Sequence, residues 1–132
     1  MNTNKNIAVE ITPPPVTAPA FGLWTATIMQ AYEGRTQRGD DKYVLTLEIN
    51  DAGAVGHVVR CHLSLADYYF AVELVLQFKK ALGVAERDPL PALRDLIGKQ
   101  VRILVTPWEL PTGEILESVS GFEPVVNSAT TK

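Results

Sequence analysis

From Tyr43 to Asn50 apolar and polar positions alternate: Tyr43, Leu45, Leu47 and Ile49 share one face, while Val44, Thr46, Glu48 and Asn50 share the other. Period two is the mark of a strand with one face in a core and one in water. The pattern returns after Asp51, Gly53 and Gly56, with Val59, Cys61 and Leu63 set against Arg60, His62 and Ser64. Upstream, Phe21 to Tyr32 is rich in β-formers (Trp24, Thr25, Thr27, Ile28, Tyr32) and carries no helix-period stripe, so a long first strand is predicted, ending near Glu33. The polar stretch from Gly34 to Asp41 contains two glycines and reads as the turn into strand two. After Ser64 the period lengthens to four. Phe70, Leu74, Phe78 and Leu82, joined by Val75 and Ala81, predict an amphipathic helix over 67–82 that buries Phe70, Leu74 and Phe78. Asp67 is its expected N-cap, Lys79 and Lys80 suit its C-terminal dipole, and Gly83 its termination.

A short second helix is predicted from Asp88-Pro89, with Leu90, Leu93 and Ile97 on one face and Gly98 at its end. Val101, Ile103 and Val105 alternate as a fourth strand, Pro107 to Gly113 reads as a loop, and Glu114 to Phe122 as a fifth strand. The polar start, the prolines at 13–15 and the small residues up to 20 predict a flexible arm over 1–20, although Ile7, Val9 and Ile11 would suit an edge strand. The folded domain is expected over 21–125, followed by a flexible tail over 126–132. A three-strand meander, helix, and closing hairpin is the element order of a five-stranded OB-fold barrel, mainly β, with one or two helices between strands three and four. A small α+β sheet with its helices on one face is the rival arrangement.

At 132 residues and 14.4 kDa the chain is long enough for one self-sufficient core, since folding at this mass buries roughly two-thirds of the unfolded surface. With 46% hydrophobic residues the composition is that of a globular domain, and no apolar run approaches the ~20 residues of a membrane span. No basic start with an apolar stretch marks a secretory signal, so a cytoplasmic location is the expectation. Cys61 is the only cysteine, which excludes an internal disulfide and any zinc site of several thiolates. The net charge of −3 is uneven: the four acids and one base from Pro107 onward account for all of it, whereas Arg35, Arg38 and Lys42 outnumber Asp40 and Asp41 in the first turn.

Several segments resemble the small OB-fold single-stranded-DNA-binding proteins of bacteriophages that accompany replication and recombination genes. They are Gly22-Leu23-Trp24-Thr25-Ala26-Thr27-Ile28, Tyr43-Val44-Leu45-Thr46-Leu47-Glu48-Ile49, Lys80-Ala81-Leu82-Gly83, the run Leu96 to Val105, and Val119-Ser120-Gly121-Phe122-Glu123-Pro124. The resemblance spans about 21–125. It implies sequence-tolerant binding of single-stranded DNA in the cytoplasm of a bacterial host cell, replication or recombination proteins as partners, no cofactor and no enzymatic activity; a homodimer is left open. The chain ends Ser128-Ala129-Thr130-Thr131-Lys132 rather than in an acidic tail, so recruitment of partners through such a tail is not expected.

In an OB barrel the exposed faces of strands two and three, with the loops after strands one and four, form the usual ligand surface. Those places hold Arg35, Arg38, Lys42, Tyr43, Arg60, His62 and Trp108, cations and aromatic rings of the kind that hold phosphates and stack bases. Each has a plainer reading. The cations could be ordinary solvated charges, Tyr43 could cap the core, His62 could be a solvated polar residue, and only Trp108, read as lying in a loop between prolines, has little to gain from a core. Trp24 is assigned to the core. Enzyme chemistry has little support: His57 and His62, five apart on a strand, face opposite ways, and no glycine-rich phosphate loop or serine elbow is present. An OB-fold protein-interaction module, such as an accessory subunit or an inhibitor of a host enzyme, is the alternative, favoured by the acidic C-terminal stretch.

Overall fold

The computed structural model describes residues 20–125; the segments at 1–19 and 126–132, which include most of the expected arm and all of the expected tail, lie outside the described residues. Five strands form one antiparallel sheet: β1 (Gly22–Arg35), β2 (Asp41–Ile49), β3 (Val58–Ser64), β4 (Gln100–Glu109) and β5 (Ile115–Glu123). Two helices, α1 (Tyr69–Leu82) and α2 (Leu93–Leu96), lie between β3 and β4 in sequence. The strand order is β3-β2-β1-β4-β5.

β1 is the spine. Its first half pairs with β4 (Gly22 opposite Val105 to Thr27 opposite Gln100) and its second half with β2 (Ala26 opposite Ile49 to Arg35 opposite Asp41). A bulge at Met29, between the pairs of Ile28 and Gln30, interrupts the pairing with β2 just past the stretch shared with β4, and bulges of this kind bend a strand and raise its twist. The sheet curls round a core of Ala26, Ile28, Leu45, Leu47, Ile49, Val59, Cys61, Leu63, Val101, Ile103 and Val105, all buried as period two requires. Burial pushes the Cys61 thiol up to about 12, so it behaves as a small apolar residue.

The edge strands β3 and β5 come into contact but share no ladder, so the sheet curls without closing through hydrogen bonds. Two features bridge this seam. α1 packs on β3, β4 and β5, and its fully buried Phe78 meets Phe122 of β5 at 4.9 Å between ring centroids. Gln77 Oε1 accepts a hydrogen bond from the Phe122 N–H at 3.0 Å. Gly121 permits that approach, because a Cβ there would stand 3.1 Å from the same Gln77 oxygen. The second bridge is His57, just ahead of β3, whose Nε2 lies 2.7 Å from Glu117 Oε2 on β5; the same oxygen accepts the Ala20 N–H at 2.6 Å.

Several boundaries differ from expectation. β1 runs two residues further, to Arg35, because its pairing with β2 continues through Gly34 opposite Lys42. α1 begins at Tyr69, not 67, and its N-cap Tyr68 makes no side-chain capping bond, so Asp67 is not the cap. Phe70 is 79% exposed, against the expected burial: the inward positions of α1 are Ala71, Leu74, Val75 and Phe78, which place Phe70 to one side. The second helix is a single turn without Asp88 and Pro89, and Ile97 is exposed. β4 continues through Pro107 and Trp108, which pair with Glu117 and Leu116; the tryptophan lies in a strand rather than a loop. Among the described residues no helix is long and apolar enough to cross a membrane.

Candidate nucleic-acid interface

The outward residues of β2 and β3 are fixed by the alternation that buries Leu45, Cys61 and Leu63. Lys42 opposes Ser64, Val44 opposes His62, and Thr46 opposes Arg60. Lys42 Nζ stands 2.9 Å from His62 Nδ1, so the ammonium donates to an imidazole nitrogen that must be unprotonated. His62 titrates below its ordinary range, first because it is partly desolvated and then because Lys42 and Arg60 oppose a third positive charge. Among the described residues no carboxylate lies within 4.0 Å of Lys42 or Arg60. The Thr46 hydroxyl, opposite Arg60, is buried without a hydrogen-bond partner. Tyr32 of β1, opposite Val44, adds an exposed ring to this face.

The β1–β2 turn continues the surface. Its geometry is set locally: Asp40 N–H donates to Thr36 Oγ1, and Gly39 N–H to the Thr36 carbonyl. Arg35 is neutralised in place by Asp41, with Nε 3.0 Å from Oδ1, and also donates to the Gly39 carbonyl. Arg38 instead lies over the ring of Tyr68 at 6.0 Å from its centroid, within cation–π range. The Leu65 N–H donates to the Asp41 carbonyl at 2.8 Å, which ties the approach to α1 against the base of this turn.

The structure brings together Lys42, Arg60 and His62 on the outward face of the sheet, with Arg38 in the turn at the same end; Arg35 shares that end, but its pairing with Asp41 sets it on the face of Tyr43 and Leu45. Tyr43 is on the opposite face, packed against the core beside Leu45 and paired with Leu63. Its hydroxyl titrates above the ordinary range because of burial and, secondarily, the nearby Glu33 carboxylate. Trp108 is 61% exposed but stands at the far end of β1, past Gly22, whereas the cations flank Gly34. The contour of strand between those two glycines is on the order of 40 Å. Its neighbours are apolar or acidic: it opposes Leu116, follows the exposed pair Leu104 and Leu23 along the same face, and adjoins Glu109. His57 stands ahead of β3 rather than on the strand with His62, and the two are apart, one on Glu117 and the other on Lys42. Among the described residues no cluster of three metal-ligating side chains occurs.

Sequence reasoning missed Tyr68 and Tyr69, which join Phe70 as an exposed aromatic run at the head of α1. The signal was there: three consecutive rings on a helix span too wide an arc to face one core. Compared with known proteins, the chain gives no significant match to any family model or to any curated protein.

Proposed function

We propose that the protein binds single-stranded DNA, without strong sequence preference, through the outward face of β2 and β3 and the β1–β2 turn, in the replication or recombination of a bacteriophage. The observation that carries this reading is the Lys42–His62–Arg60 cluster. Like charges placed together on adjacent strands oppose folding, and here they also hold an imidazole neutral; a phosphate seated among them removes that opposition. Tyr32 offers an exposed stacking face beside it. The order β3-β2-β1-β4-β5, the helices between β3 and β4, and the contact of β3 with β5 support an OB barrel whose seam is spanned by α1 instead of a ladder. This is the fold of the phage proteins that the sequence resembles.

The Trp108 end favours a second reading. Leu23, Leu104, Leu116 and Trp108 form an exposed apolar strip edged by acids, a surface suited to a protein partner and unsuited to phosphates. The interface proposed for DNA therefore leaves Trp108 out.

Anisotropy titrations of labelled single-stranded and duplex oligonucleotides between 50 and 200 mM salt separate the two readings. Single strands should bind more tightly than duplex, and Lys42→Ala with Arg60→Ala should flatten the plot of log affinity against log salt by about 0.7 per lost cation. Arg35→Ala should change the slope less, because Asp41 already neutralises it. Equal binding of duplex, or no binding of either at 50 mM salt, would leave the protein-interaction reading in its place.

A further inference from the structure

We infer that the aromatic run Tyr68-Tyr69-Phe70 at the head of α1 is a second base-stacking surface, which receives the strand as it leaves the Lys42–His62–Arg60 face; the inference rests on the single-strand reading above. Tyr69 and Phe70 are 71% and 79% exposed, the most exposed large apolar side chains among the described residues. Their rings stand edge to face at 5.4 Å, turned away from the core that Ala71 and Phe78 fill. Rings so placed contribute little to folding, yet each offers a flat face to a base.

Position and charge specify the occupant. Lys42 opposes Ser64, and Leu65 is bonded to Asp41, so the chain passes directly from the cation cluster to the aromatic run. Ser64 and Tyr68 are four positions apart, a span of at most about 14 Å. That is roughly four nucleotides at the 3.4 Å rise of a stacked strand. Arg38 lies over Tyr68 with no carboxylate within 4.0 Å among the described residues, and so stands between the two surfaces as a free cation beside a ring. Alternating cations and aromatic faces along one path match a strand of phosphates and bases.

The test compares wild type with the double variant Tyr69→Ser/Phe70→Ser, whose folding is checked by circular dichroism and thermal melting; both side chains are exposed, so the melt should be preserved. The probes are fluorescein-labelled oligothymidylates of 4 and 12 nucleotides, titrated at 50 mM salt. The 4-mer should bind both proteins alike through the cation face, and the 12-mer should bind the variant at least tenfold more weakly. A 12-mer with abasic sites over half its length should lose several-fold more affinity for wild type than for the variant, and an equal loss on both would overturn the inference. Affinity for the 12-mer within twofold of wild type would overturn the inference while leaving the cation face intact. Equal loss on the 4-mer would also overturn it, by placing the rings within the first site. If wild type binds neither probe, the single-strand reading falls and this one with it.

Discussion

Replacing Phe78 with alanine tests how the open seam is held. The ring is fully buried between α1 and β5 and leans on Phe122 at 4.9 Å with 54° between planes. Removing a buried phenyl forfeits about 2 kcal/mol of transfer free energy. If the site keeps roughly 60–80 Å³ of void, the cavity adds about 1.5–2 kcal/mol at ~24 cal/mol per Å³. Loss of the tilted ring pair contributes a further ~0.5–1 kcal/mol. The expected destabilisation is therefore about 4–5 kcal/mol, a large part of the stability of a domain this size. Urea unfolding followed by tryptophan fluorescence, with Trp24 half-buried on the core, reads it as a midpoint lowered by ~2 M at a slope of roughly 2 kcal/mol per M. Phe78→Leu, expected to cost about 1–2 kcal/mol, keeps the measurement possible should the alanine variant not fold. A loss below about 1 kcal/mol for Phe78→Ala would mean that α1 does not fill the gap between β3 and β5, and would refute the packing.

Glu117→Ala should destabilise by about 1–3 kcal/mol in the same assay, because it leaves the part-buried Ala20 N–H and His57 without their shared acceptor; a change within 0.5 kcal/mol would show that the clasp carries nothing. The affinity for single strands should rise as pH falls from 7.5 towards 6. In the free protein His62 titrates below its ordinary range, so it is neutral near pH 7, and a bound phosphate favours the protonated form, coupling binding to proton uptake. His62→Gln should remove that pH dependence, and an unchanged profile in the variant would place the phosphate elsewhere.

Strands legible in the sequence were those whose burial is decided by one face. Leu45, Cys61 and Leu63 gave β2 and β3 directly, and the period-four stripe placed Phe78 inward. Ends were less legible because tertiary pairing sets them: β4 runs on through Pro107 because its ladder with β1 stops at Val105, which leaves one side of the strand with no ladder for a proline to interrupt, and no local pattern announces that. Phe70 fits the stripe by spacing and still lies outside, because the helix packs across a seam rather than on a flat sheet and buries a narrower arc. For the interface, residue type on an alternating strand was enough to set Lys42, Arg60 and His62 together. The same alternation put Tyr43 with Leu45 on the core face, but it could not show that Arg35 is paired or that Trp108 sits a strand's length away, since each depends on a cross-strand partner.

The division of β1 between two partners also sets the order in which the sheet can assemble. Its pairing with β2 closes a turn of five residues between Arg35 and Asp41, whereas its pairing with β4 must bring Thr27 to Gln100 across 73 positions. On a Gaussian chain that closure costs roughly 2 kcal/mol more in entropy than the hairpin. The meander β1-β2-β3 can therefore gather from local contacts, and β4 and β5 arrive against a surface already present. Refolding kinetics should accordingly respond to substitutions in β2 and unfolding kinetics to those in β5, a partition that stopped-flow φ-values on the two strands read directly and that equal values would contradict.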